Sequence, residues 1–184
     1  MAAVQMQATG NNWEIDAFDR LVVRDQQRSF ESSIFLLPTP NNAIWSSSNV
    51  LLTTPLHNYS VNDYSQFFDA IDYPEGQVKL EAMQAAEYDL LGRDLGVTIY
   101  CFYSAGIPTP ERLIYDSIAA LPDSKPRLEM GEGDGTVNLR SLEACQLWKK
   151  VQPQHQINVK YYPDVEHKEL LHHPALIEDV LHLA

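Results

Sequence analysis

Cysteine is scarce in this sequence: Cys101 and Cys145 are the only two in 184 residues. At most one disulfide can form, which excludes a disulfide-built scaffold, and two thiols supply no tetrahedral zinc set. Long apolar runs are also missing. Residues 34–37 (IFLL) are among the longest, far below the roughly 20 residues needed to cross a bilayer. The opening MAAVQMQATG has neither the basic start nor the apolar centre of a signal peptide. Basic charge is in deficit, with 13 Lys and Arg against 25 Asp and Glu and a net charge of -12. That balance argues against nucleic-acid phosphate as a partner. Repeats and low-complexity tracts do not occur. What is present is 45% hydrophobic and 10% aromatic, enough to bury a core in one domain or in one domain plus a subdomain.

The pattern divides the chain near residue 95. Residues 1–95 are irregular and crowded with turn signals such as GNN at 10–12, PTPNN at 38–42 and SSSN at 46–49. Two helices stand out there. One is expected over 61–71, with Tyr64, Phe67, Phe68 and Ile71 on one face and Ser60 as its cap. The other is expected over 77–91, ending at Gly92. Residues 96–184 alternate strand and helix. VTIYCFY at 97–103 reads as a strand buried on both faces. A connection then carries Leu113, and residues 128–130 form a short strand leading into GEGDG at 131–135. A helix follows over 139–150, then a strand over 156–162. A last helix over 174–183 turns Leu176, Ile177, Val180 and Leu181 inward. Strand, loop, helix, strand, loop, helix is the tail of an α/β fold with a parallel sheet.

Such sheets gather function in the loops after their strands. Asp134 lies in the first such loop, whose three glycines permit positive φ or close approach. His167 lies in the second, just past a strand. With one helix and one strand between them, both belong at the same sheet edge. There an Asp can accept from the far imidazole nitrogen and fix the tautomer. Each also has a plain reading, Asp-Gly as a turn and His as a surface residue. YSAG at 103–106 follows a strand, but without the glycine that precedes the serine of a Gly-x-Ser-x-Gly elbow it reads as a turn. His172 and His173 have no suitably spaced carboxylate or thiol, so they read as solvent-facing. No metal site and no cofactor loop is expected. NYS at 58–60 is a glycosylation sequon, meaningful if the protein is secreted.

The string MGEGDGTVNLRSLEACQLW at 130–148, with YSAGIPTP at 103–110 before it, resembles the lecithin:cholesterol acyltransferase family. It is most similar to the lysosomal phospholipase A branch. GNN at 10–12, RDQQRS at 24–29, LLP at 36–38 and NYS at 58–60 fall in family order, so the likeness covers nearly the whole chain. It implies the C-terminal portion of an α/β-hydrolase with a Ser-Asp-His triad, preceded by a cap or lid subdomain. Residues 1–95 correspond to the cap, with a lid-like stretch at 24–29. Residues 96–184 correspond to the hydrolase core. The triad Asp is Asp134 and the triad His is His167. The nucleophile Ser lies N-terminal to this stretch in the family, and no Gly-x-Ser-x-Gly occurs in the sequence. The resemblance also implies a disulfide from a Cys just before the Asp loop to one in the next helix. Cys145 holds the second position but Glu129 stands at the first. Cys101 then reads as a packed free thiol, and no disulfide is expected.

By resemblance, the intact enzyme performs lipid-ester acyl transfer or hydrolysis without a cofactor, as a phospholipase A or O-acyltransferase. Its substrate is a phospholipid or other lipid ester, met peripherally at a membrane surface. Its location is lysosomal, vacuolar or secreted. A chain that carries Asp134 and His167 without the Ser is expected to be inactive alone, as a truncated form that folds poorly. The alternative is a noncatalytic lipid-binding or interaction protein derived from the cap and C-terminal half. A partner chain that supplies the Ser half is a third possibility.

Overall fold

The computed structural model describes residues 1–11, 19–40, 43–85 and 93–183. The chain divides into two compact units. The first comprises Met1–Glu87 and Pro110–Glu129, the second Tyr88–Thr109 and Met130–Ala184.

In the first unit, helices α1 (Ala2–Thr9), α2 (Arg20–Ser29) and α3 (Glu31–Phe35) are followed by the short strands β1 (Leu52–Thr53) and β2 (Asn58–Tyr59). Helices α4 (Tyr64–Ala70) and α5 (Glu75–Ala85) come next. The aromatic face expected of α4 is buried: Tyr64, Phe67, Phe68 and Ile71 join a core with Val4, Leu52, Leu113 and Tyr115. Full burial of a side chain such as Phe67 is worth about 1.5–3 kcal/mol. Ser60 does not cap α4, which begins at Tyr64 with Asp63 at its N-cap. Ser60 instead donates its N–H and Oγ–H to Asp63 Oδ2, at 2.8 and 2.6 Å. The second half of the helix expected over 77–91 lies outside the described residues.

Strand β4 (Ile107–Ile114) replaces the expected connection. Pro108 and Pro110 suggest a break because proline cannot donate to a ladder. The parallel pairing with β1 falls beyond them, at Leu52↔Leu113 and Thr53↔Ile114, so neither proline interrupts it. Strand β5 (Arg127–Gly133) is longer than the expected 128–130, and the sheet order is β2-β1-β4-β5 with β2 antiparallel to β1. Strands β4 and β5 each contribute residues to both units.

The second unit is built on β3 (Ile99–Ala105) and β6 (Ile157–Pro163), parallel from Ile99↔Ile157 to Ala105↔Pro163. Burial along β3 rises toward its end: Tyr100 is exposed, whereas Tyr103, Ser104 and Ala105, on both faces, are buried. The expected helix over 139–150 is present in three pieces: α6 (Leu139–Leu142), a 3-10 segment Glu143–Leu147, and α7 (Trp148–Val151). The buried amide of Gln152 ties its end to the chain before β3. Its Nε2 donates to Val97 O and its Oε1 accepts from Leu95 N, both at 2.9 Å.

The two cysteines are not free thiols. Cys101 and Cys145 form a disulfide with a Cα–Cα separation of 6.4 Å. The reason is strand periodicity. Cys101 and Tyr103 lie on the same face of β3, and that face meets the 3-10 segment, where the Tyr103 hydroxyl donates to Glu143 Oε1 at 3.2 Å. Glu129, at the position expected for a partner of Cys145, pairs with Arg112.

The last helix, α8 (Pro174–Leu181), has Pro174 in its first turn as expected. Of the four apolar residues expected to face inward, Leu176 is half-buried and the other three are exposed. Ile177, Val180 and Leu181 are 46%, 49% and 71% exposed. Asp179 is the residue turned toward β6, where it accepts from the Tyr162 hydroxyl and pairs with Lys160.

Candidate active site

Asp134 follows directly on the end of β5 and is 2% exposed. Its Oδ1 accepts from Thr136 N at 3.1 Å and Val137 N at 2.7 Å, an Asx-type turn that closes the loop locally. The backbone closes it again through Asp134 N to Val137 O at 3.2 Å. The glycines of the loop divide their tasks. Gly135 takes a positive φ of 87°, whereas Gly133 allows close packing: a Cβ there would lie 2.2 Å from Val137 O.

With Oδ1 held by the loop, Oδ2 is left for His167, whose Nδ1 lies 2.8 Å away. An ionised carboxylate only accepts, so Nδ1 is the donor and the imidazole is held as the Nδ1–H tautomer. A backbone bond from His167 N to Asp134 O at 2.9 Å links the loops a second time. The His167 side chain is 46% exposed. A buried carboxylate behind a half-exposed imidazole can keep Nε2 unprotonated toward solvent and steady the imidazolium once Nε2 takes a proton. That is the orienting half of a general-base apparatus.

The other candidates fall elsewhere. Ser104 is not in a turn: β3 continues through it, it is fully buried, and its Oγ has no partner. His172 is exposed, but His173 is half-buried with its ring edge-on to Tyr162 at 5.6 Å between centroids. Among the described residues no group of three His, Cys, Asp or Glu could hold a metal ion. Sequence reasoning missed Thr109, fully buried, whose Oγ1 accepts from Gly135 N at 2.8 Å. A threonine between two prolines carries no signal that it supports a distant loop. It also missed Asp164, which carries a positive φ of 57° three residues before His167.

The sequence profile described as lecithin:cholesterol acyltransferase matches residues 1–91 and 79–179. The chain belongs to that family. It is 37% identical over 164 residues to the lysosomal phospholipase A and acyltransferases of Canis lupus familiaris and Homo sapiens. It is 33% identical over 167 residues to the phosphatidylcholine-sterol acyltransferase of Gallus gallus. Each alignment covers 89% of this chain and 38% of the relative, so the chain spans well under half the length of these proteins. The mixed α/β architecture, with flanking helices on its sheets, is consistent with part of an α/β-hydrolase of this family.

Proposed function

We propose that this chain carries the Asp and His of a Ser-Asp-His acyl-transfer site acting on lipid esters. In that reaction His167 Nε2 removes the proton of a serine hydroxyl as its oxygen attacks the ester carbonyl. The imidazolium, steadied by Asp134, then protonates the departing alcohol. The acyl-serine is resolved when His167 deprotonates water or a lipid hydroxyl. The proposal assigns residues 1–95 to a cap that includes a lid near 24–29, and residues 96–184 to the hydrolase core. It assigns the serine and its elbow to a segment outside these 184 residues, so the chain alone is expected to be nearly inactive. A phospholipid or related ester at a membrane surface is the substrate, and no cofactor is required. The compartment is lysosomal, vacuolar or secreted, an environment in which the Cys101–Cys145 bond would persist.

The observation that supports this most directly is the 2.8 Å contact between Asp134 Oδ2 and His167 Nδ1, in a chain of this family. The test is a chimera in which these residues replace the matching segment of the Canis lupus familiaris relative. Fatty-acid release from phospholipid vesicles is the readout. Activity is expected, reduced about 10⁴-fold by Asp134→Asn and on the order of 10⁶-fold by His167→Ala. Hydrolysis that survives His167→Ala, in the chimera or in the isolated chain, would overturn the assignment.

A further inference from the structure

Both loops of the Asp134–His167 pair rest on the same short segment, residues 105–109. On the His side, Ala105 O accepts from Asp164 N at 2.7 Å. Gly106 has a φ of 99°, and a Cβ there would stand 2.2 Å from Asp164 Oδ1. A side chain at 106 would therefore push away the residue that turns the chain toward His167. On the Asp side, Ile107 bridges Asp134 in parallel register. Thr109 completes the support. Its hydroxyl donates to Ile107 O at 2.9 Å and accepts from Gly135 N at 2.8 Å. The same Oγ1 would lie 2.5 Å from any Cβ on Gly133, so the residues on both sides of Asp134 are fitted to it.

We propose that residues 105–109 are a template that sets the spacing of the two loops, with Thr109 as a positioning residue for Asp134. Thr109 acts through the Asp134 loop and not on substrate. Its hydroxyl fixes Gly135, Gly135 fixes the loop, and the loop aims Oδ2 at His167. The proposal rests on reading Asp134 and His167 as an acid–base pair, and it deepens that reading by naming what holds the pair in register.

The test uses the chimera described above, isotopically labelled within these 184 residues, and two resonances. One is the downfield proton of His167 Nδ1–H bonded to a carboxylate. The other is the Gly135 amide, followed by hydrogen exchange. Thr109→Val removes the hydroxyl at nearly constant shape. It is expected to speed Gly135 exchange about tenfold, the worth of roughly one hydrogen bond, and to shift or broaden the His167 proton. Exchange along β3 and β6 stays as in the parent. Thr109→Ser restores both signals, a rescue that mere filling of space would not require. Parent-like Gly135 exchange and an unmoved His167 proton in Thr109→Val would overturn the proposal. If Thr109→Val does not fold, the parent chimera decides. Gly135 must exchange as slowly as the His167 amide, and unprotected exchange at Gly135 with the His167 proton in place sinks the template. Asp134→Asn separates the two ideas. A downfield His167 proton that survives it refutes the pair itself, while the Gly135 result still judges the role of Thr109.

Discussion

Arg28 lies buried at 9% exposure and keeps its charge among backbone carbonyls. Nε donates to Gln7 O at 2.9 Å, Nη2 to Ile71 O at 2.8 Å and Nη1 to Asp72 O at 3.3 Å. The guanidinium also stacks over Tyr73 at 4.7 Å. Burial, with Arg24 nearby, lowers its pKa to about 10. Desolvation of the cation is thus offset by three backbone acceptors and the face of Tyr73. Arg28→Met fills the space but removes the donor from the two buried bonds, to Gln7 O and Ile71 O, each at about 1–3 kcal/mol. A loss of more than about 3 kcal/mol is expected in urea unfolding. Asp63 makes a pH-dependent counterpart. The Ser60 hydroxyl, foremost, holds the Asp63 carboxyl below its ordinary 3.8. The folded state therefore takes up this proton less readily than the unfolded chain. The stabilisation is complete above about pH 4 and is lost as the pH falls through the lowered folded value. Ser60→Ala should cost about 1 kcal/mol at pH 7. The gap from the parent should close toward pH 2 when urea midpoints are compared at both pH values.

At the scale of elements, the disulfide joins β3 to the helical segment across 44 residues. Closing a loop of that length constrains the unfolded chain. Cys145→Ser is expected to lower stability by about 2–4 kcal/mol, measured by thermal unfolding with and without reductant. The same bond marks where linear reading stops. The aromatic face of α4 and the pairing strand β6 were legible because periodicity is local. So was the meeting of Asp134 and His167, because strand-helix-strand order places consecutive loops at one sheet edge. The partner of Cys145 was not legible. It depends on which face of β3 meets a helix that begins 34 residues after β3 ends, and nothing within a window of sequence records that. Strand β4 was hidden by Pro108 and Pro110, which only the pairing register shows to be harmless. Thr109 escaped for the same reason, since its acceptor role is defined by a partner 26 residues away.

At the scale of the whole molecule, burial is unevenly shared. The main hydrophobic cluster, from Met1 to Tyr115, lies entirely in the first unit. Among its described residues the second unit, with the candidate site, buries few large apolar side chains and relies on the β3–β6 ladder, the Gln152 amide and the disulfide. Exposed apolar residues of α8 belong to this picture. Leu181→Glu is expected to change stability by less than about 0.5 kcal/mol, as for an ordinary surface site. Leu113→Glu, at a position with no exposure, should abolish cooperative melting. A core-sized penalty at Leu181, read by circular dichroism, would show that the face is covered in solution.

The Cys101–Cys145 bond has one more consequence, a topological one. It closes a covalent ring that contains Thr109 and Asp134 and leaves His167 outside. A protease cut between the exposed Asp123 and Ser124 opens this ring without dividing the molecule. The two new ends remain joined through sulfur, and Asp134 stays continuous with His167 along the main chain. Nicking the polypeptide and separating the pair are therefore distinct events.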